Sequence, residues 1–151
     1  MKNVFFLSLL ATAFLFTACD KDDDSDEHGH THTEDTKFEY HAHINSPADE
    51  STIKMGETLN IKVDFESHTG ETVHNVQVRI FEKGTDTELY NSGADHVHAE
   101  TGEYEFTLDL PVTAANGFTA HTDYELEATV YGHENREGEE SSVVGFHVHP
   151  E

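Results

Sequence analysis

From residue 38 onward, apolar and polar side chains take turns. Phe38, Tyr40, Ala42 and Ile44 are spaced by Glu39, His41 and His43, a period of two that turns one row of a β-strand inward and the other outward. The same spacing returns in Leu59, Ile61, Val63 and Phe65, in Val76, Val78 and Ile80, in Tyr104, Phe106, Leu108 and Leu110, and in Tyr124, Leu126, Ala128 and Val130. Shorter apolar pieces at Leu89-Tyr90 and around Val97 predict minor strands. Residues 142–149 predict the closing strand, with Phe146 and Val148 inward. Turn formers separate these rows: Ser46-Pro47-Ala48-Asp49, Met55-Gly56-Glu57, His68-Thr69-Gly70-Glu71, Lys83-Gly84-Thr85-Asp86 and Asn116-Gly117. Pro111 stops one strand, and the polar run 134–140 divides the last two. No window carries a helical period. About seven strands, with turns roughly every 8–12 residues, predict an all-β sandwich.

The outward rows hold an unusual number of imidazoles. Among 13 histidines, His41-Ala42-His43, His96-Val97-His98 and His147-Val148-His149 are His-x-His pairs, and His28-Gly29-His30-Thr31-His32 is a triplet near the N-terminus. Residues i and i+2 of a strand share a face at about 6–7 Å, so each pair presents two rings together. Neutral imidazole is the commonest protein ligand for zinc, copper and nickel. If the first strand lies beside the last, His41 and His43 approach His147 and His149 on one outward face. Loop ends at one end of the sandwich offer a second grouping of His68, His74, His96, His98 and His133. The expected metal ligands are therefore His41, His43, His74, His96, His98, His133, His147 and His149, and the expected ion is Zn or Cu. His68 and His121, which stand alone, read as solvated surface residues.

Charge narrows the partners. There are 31 acidic residues against 8 Lys plus Arg, a formal charge of −23. So acidic a surface excludes nucleic acid and electrostatic docking to anionic lipid, and attracts cations. Residues 1–18 carry Lys2, then a nearly continuous apolar run from Val4 to Phe16, too short to span a bilayer. Thr17-Ala18-Cys19 follows and resembles the cleavage box of a bacterial lipoprotein signal, with Phe16 where leucine is usual. That resemblance implies lipidation of Cys19. The next residues, Asp20-Lys21-Asp22-Asp23-Asp24, resemble the export signal that sends lipoproteins of the Bacteroidetes type to the outer face of the outer membrane. Residues 19–37 hold almost no apolar side chain and cannot offset the entropy of ordering, so they read as a disordered acidic tether. Residues 38–151 read as one domain. With Cys19 lipidated, no disulfide forms within the chain, and the fold rests on its core.

The strand count, and Tyr124 near the start of the penultimate strand, resemble an immunoglobulin or fibronectin type III domain, where a corner tyrosine takes that place. Thr72-Val73-His74, His96-Val97-His98, Gly132-His133-Glu134-Asn135 and Phe146-His147-Val148-His149-Pro150 are together similar to a family of small Ig-like lipoproteins of the Bacteroidetes, over roughly residues 38–150. The family implies the fold and the anchor, and it implies no activity.

The expected function is an outer-membrane lipoprotein domain that binds Zn or Cu through paired histidines, as scavenger, buffer or donor to a metal-transport receptor. The alternative is an acidic surface interaction or structural module whose histidines are incidental or pH-sensing. An enzyme is not expected. There is no P-loop and no GxGxxG, Cys19 is consumed by lipid, and no tryptophan offers a sugar platform. Asp20 to Asp26 lacks the glycine and terminal glutamate of an EF-hand loop.

Overall fold

The computed structural model describes residues 38–151. The expected signal peptide, Cys19, the tether and its three histidines lie outside the described residues. Nine strands run in order: β1 (Tyr40–Ser46), β2 (Ser51–Lys54), β3 (Thr58–Ser67), β4 (Val73–Glu82), β5 (Glu88–Asn91), β6 (Asp95–Ala99), β7 (Glu103–Pro111), β8 (Thr122–Tyr131) and β9 (Glu140–His149). A 3-10 turn at Ala114–Asn116 is the only helical element among the described residues, and no helix there is long and apolar enough to cross a membrane.

The strands make two sheets. One has the order β1-β3-β7; the other has the order β2-β9-β8-β4-β5, with β6 also paired to β4. The inward rows meet in one core. Tyr40, Ala42, Leu59, Ile61, Val63 and Phe65 come from the first sheet, and Val76, Val78, Ile80, Leu126, Ala128, Val130, Phe146 and Val148 from the second. Removing this apolar surface from water drives the sandwich together, at roughly 25 cal/mol per Å². The all-β immunoglobulin-like sandwich is thus the observed fold.

Two features depart from expectation. The first strand does not pair with the last: β1 pairs antiparallel with β3, with Ala42 opposite Phe65. The place beside β9 is taken by β2, which pairs parallel to it, Ser51 opposite Phe146 and Lys54 opposite His149. Pro47 explains the change of sheet. It lacks an N–H for the ladder, so the chain leaves one sheet at Ser46 and enters the other at Ser51. Residues 51–54 are too short and too weakly alternating to have been read as a strand.

Tyr124 does act as a corner. It is buried, and its hydroxyl accepts the backbone N–H of Thr119 at 2.8 Å. Phe118 and Phe146 pack around its ring at centroid distances of 5.2 and 5.6 Å. The loop between β7 and β8 is thereby fixed to the end of the sandwich.

Candidate metal centre

The histidines gather at the two ends of β8. At its C-terminal end the group is His74, His96, His98 and His133. Val73 and Val76 are both buried although three residues apart, so the alternation of β4 breaks at His74 and Asn75 and both side chains leave the core. Asn75 donates from its side chain to the carbonyl of Gly132 at 2.8 Å, tying β4 to the hairpin that carries His133. Opposite, β6 passes from His96 to Ala99 while β4 passes only from Asn75 to Val73. The extra residue is a bulge, and such bulges re-aim side chains. His98 lies in it at φ 51.

These turns bring four imidazoles together. The His74 ring centroid lies 5.6 Å from His96, 5.2 Å from His98 and 5.4 Å from His133, and His96 lies 5.6 Å from His98 and 5.5 Å from His133. One ligand atom from each of His74, His96 and His98 stands within 4.8 Å of the others. His74 Nδ1 and His96 Nε2 are 3.4 Å apart. Two nitrogens on a tetrahedral ion with bonds of about 2.0–2.1 Å are separated by roughly 3.3–3.4 Å, whereas a hydrogen bond from nitrogen is usually nearer 2.9–3.0 Å. The spacing is compatible with two ligands on one ion.

The electrostatics fit a cation. Burial, then the charges that His98, His133 and His96 would carry, push the His74 pKa below its ordinary value, so its ring is neutral and ready to ligate at neutral pH. Glu137 acts in the other direction on His74. Its Oε2 is buried without a hydrogen-bond partner among the described residues. A Cβ placed on Gly132 would come within 2.8 Å of that oxygen, so glycine there lets the carboxylate pack behind the cluster. The negative charge favours a cation in front of it.

At the N-terminal end of β8 stand His121, His147 and His149, again with one ligand atom each within 4.8 Å of the others. His147 and His149 point outward from β9, with ring centroids 4.6 Å apart. His121 precedes β8 at φ 61, and its N–H donates to Val148 at 2.7 Å. Asp123 Oδ1 lies 2.7 Å from His147 Nδ1. That contact directs the other nitrogen, Nε2, outward.

The expected ligands divide accordingly. His74, His96, His98 and His133 come together. His147 and His149 meet each other, but not His41 and His43, because β1 lies in the opposite sheet. His41 instead sits 2.9 Å from Glu140 Oε1 and packs on His68, with ring centroids 4.3 Å apart. His68 also faces Glu66 at 3.5 Å and is outside the His74 group. His43 stands exposed opposite Asp64. His121, expected to be a solvated residue, completes a triad. The hairpin could have found it: its tip at Asn135 is equidistant from His121 and His149, and equal counting from a hairpin tip places residues opposite one another.

No family model matches the chain, and no curated protein matches it. Among solved structures it is similar to the CARDB domain of the PF1109 protein from Pyrococcus furiosus, crystallised in complex with di-metal ions, at 16% identity and TM-score 0.49, over 77% of this chain and 97% of that one. It is also similar to fibronectin(III)-like modules of Clostridium thermocellum CbhA, at 15% identity and TM-score 0.43, over 75% of this chain and 48% of that one. A chitin binding domain from Burkholderia pseudomallei matches at 13% identity and TM-score 0.44, over 66% of this chain and 56% of that one. At such identities the likeness is one of fold. The two histidine triads are compatible with metal binding on their own geometry.

Proposed function

We propose that this protein is a metal-binding lipoprotein of the outer membrane, anchored through Cys19, whose Ig-like domain holds Zn or Cu at His74, His96, His98 and His133. The observation that carries the reading is the 3.4 Å separation of His74 Nδ1 and His96 Nε2 inside a group of four imidazoles. A set of imidazole nitrogens suits Zn or Cu, and not the oxygen-seeking Ca or Mg. The charge of −23 supports it by drawing cations to the surface. The role is binding and not catalysis: scavenging, buffering or passing the ion to a transport receptor. The anchor is supported by the apolar run ending in Thr17-Ala18-Cys19 and the Lys-acidic segment behind it.

Calorimetry tests the metal. The chain from residue 19, with Cys19→Ser and with His28→Ser, His30→Ser and His32→Ser to remove tether ligands, is titrated with Zn and with Cu. Binding is expected at pH about 7.5 and is expected to fall as pH drops through about 6.5, since each ligand must first lose its proton. His74→Asn with His96→Asn is expected to lose the tighter binding. No binding at the higher pH, or equal binding at about pH 5.5, overturns histidine ligation. The acidic interaction module then takes its place.

A further inference from the structure

We infer that His121, His147 and His149 form a second, independent site for a divalent transition ion, open on one side and built for exchange where the His74 cluster is built for retention. The chemistry is that of the reading above, but no residue is shared, so either site can fail without the other. The ten residues of β8 lie between His121 and His133, about 33 Å of extended chain. One ion cannot serve both ends.

Three observations carry the inference. The first is preorganisation. His121 is held in the left-handed region, where a non-glycine residue is costly and tends to mark a functional constraint. It is fixed there by its own N–H to Val148 and by the corner contact of Thr119 with Tyr124. His147 is oriented by Asp123, the carboxylate–imidazole arrangement that supports metal-bound histidines. The second is incompleteness. Among the described residues no further His, Cys, Asp or Glu joins the three at that spacing, and no fourth ring packs against them; at the other end His133 also falls outside that spacing, but its ring packs against His74 and His96. A three-histidine site leaves a position for an outside ligand. The third is charge. Lys54 occupies the register position beside His149 on β2, and its flanking residue Ile53, like Val148 next to His149, packs toward the core. Alternation therefore puts the ammonium and His149 on the same outward face, where it opposes a bound cation. At the His74 cluster the nearby carboxylate is Glu137, and here Asp123 at His147 offsets part of the lysine's charge. The second site is thus the weaker and faster one, with its open position exposed to a water, a small anion or a donor side chain of a receiving protein.

The test is cobalt(II) titration of the same chain used above, followed by visible absorption. The parent is expected to take up two equivalents. A variant with His74→Asn, His96→Asn and His98→Asn together is expected to keep one, and so is a variant with His121→Gly, His147→Asn and His149→Asn together. Added azide is expected to change the spectrum of the first variant and not of the second. Asp123→Asn, which keeps all three imidazoles and disturbs the fold least, is expected to weaken the second site about 10–100-fold, and Lys54→Gln to slow its loss of metal to a chelator. One equivalent in the parent, with none in the His74 variant, overturns the second site and leaves the proposed function standing. One equivalent in the parent that survives in the His74 variant and vanishes in the His121 variant overturns the His74 site and upholds this one. An azide-insensitive spectrum at the His121 site overturns the open position.

Discussion

His98 and His121 share a property that nothing else among the candidate ligands has. Both lie at positive φ, 51 and 61, one in each triad. A side chain with a Cβ pays roughly 1–2 kcal/mol for that conformation, so glycine should be the more comfortable residue at either place. Each is nevertheless a histidine whose ring contributes to a triad. If the triads hold metal as proposed, stability and metal affinity are set against each other at a single residue. His98→Gly is expected to change stability by no more than about 1 kcal/mol, relief of strain being offset by greater freedom in the unfolded chain. Its metal affinity at the His74 cluster should fall by an order of magnitude or more. Thermal melting of the metal-free protein beside calorimetry separates the two. A His98→Gly protein that melts far below the parent would make the side chain a structural member and not a ligand.

At the scale of elements, the hairpin between β8 and β9 brings His133 against His74 and His96. Asn135 and Arg136, both at positive φ, form its tip, and such a pair matches the twist of the flanking strands. Arg136 lies over the Tyr131 ring at 4.1 Å and pairs with Glu139. Gly138 lets the returning arm approach β1. Its φ is +62, and an added Cβ would fall 2.4 Å from Phe38 Cβ and 3.1 Å from Tyr40 Cδ2. Neither atom is the free end of a flexible chain, so backbone must move. Gly138→Ala is expected to cost about 1–3 kcal/mol, lowering the melting temperature by several degrees, and to loosen the placement of His133 and Glu137. Gly84→Ala, at φ +75 with no atom within 4 Å of an added Cβ, carries only the conformational part of that cost and serves as the comparison. Equal melting of the two variants would mean that the approach of the hairpin to β1 contributes nothing.

For the molecule as a whole, core and ligands are separate. All but one of the buried hydrophobic residues form one continuous cluster drawn from both sheets. The candidate ligands lie outside it, exposed or half-buried. The domain should therefore fold without an ion, unlike a zinc finger, whose folding depends on its metal. In excess chelator, circular dichroism is expected to retain the β signal and a cooperative melt. Saturating Zn should raise the midpoint, a ligand at a hundred times its dissociation constant adding about 2.7 kcal/mol. A chain that unfolds on removal of metal would turn the ion into a structural element of the sandwich.

The alternating rows of β3, β4, β7, β8 and β9 were legible because burial against a second sheet demands a period of two, and Tyr124 announced its corner by position alone. The His-x-His pairs were legible for the same reason, since neighbours on one face need only local chain geometry. What lay beyond one strand was not. The choice of partner for β1 turned on where the chain changed sheets at Pro47, and it carried His41 to Glu140 and His68, away from His147. His121 joined His149 through strand pairing across a hairpin, and His74 met His98 through a bulge in β6. The periodicity of the sequence decided which side chains face water. Only tertiary pairing, which sets residues far apart in the chain within a few ångströms, decided which of those imidazoles share a site.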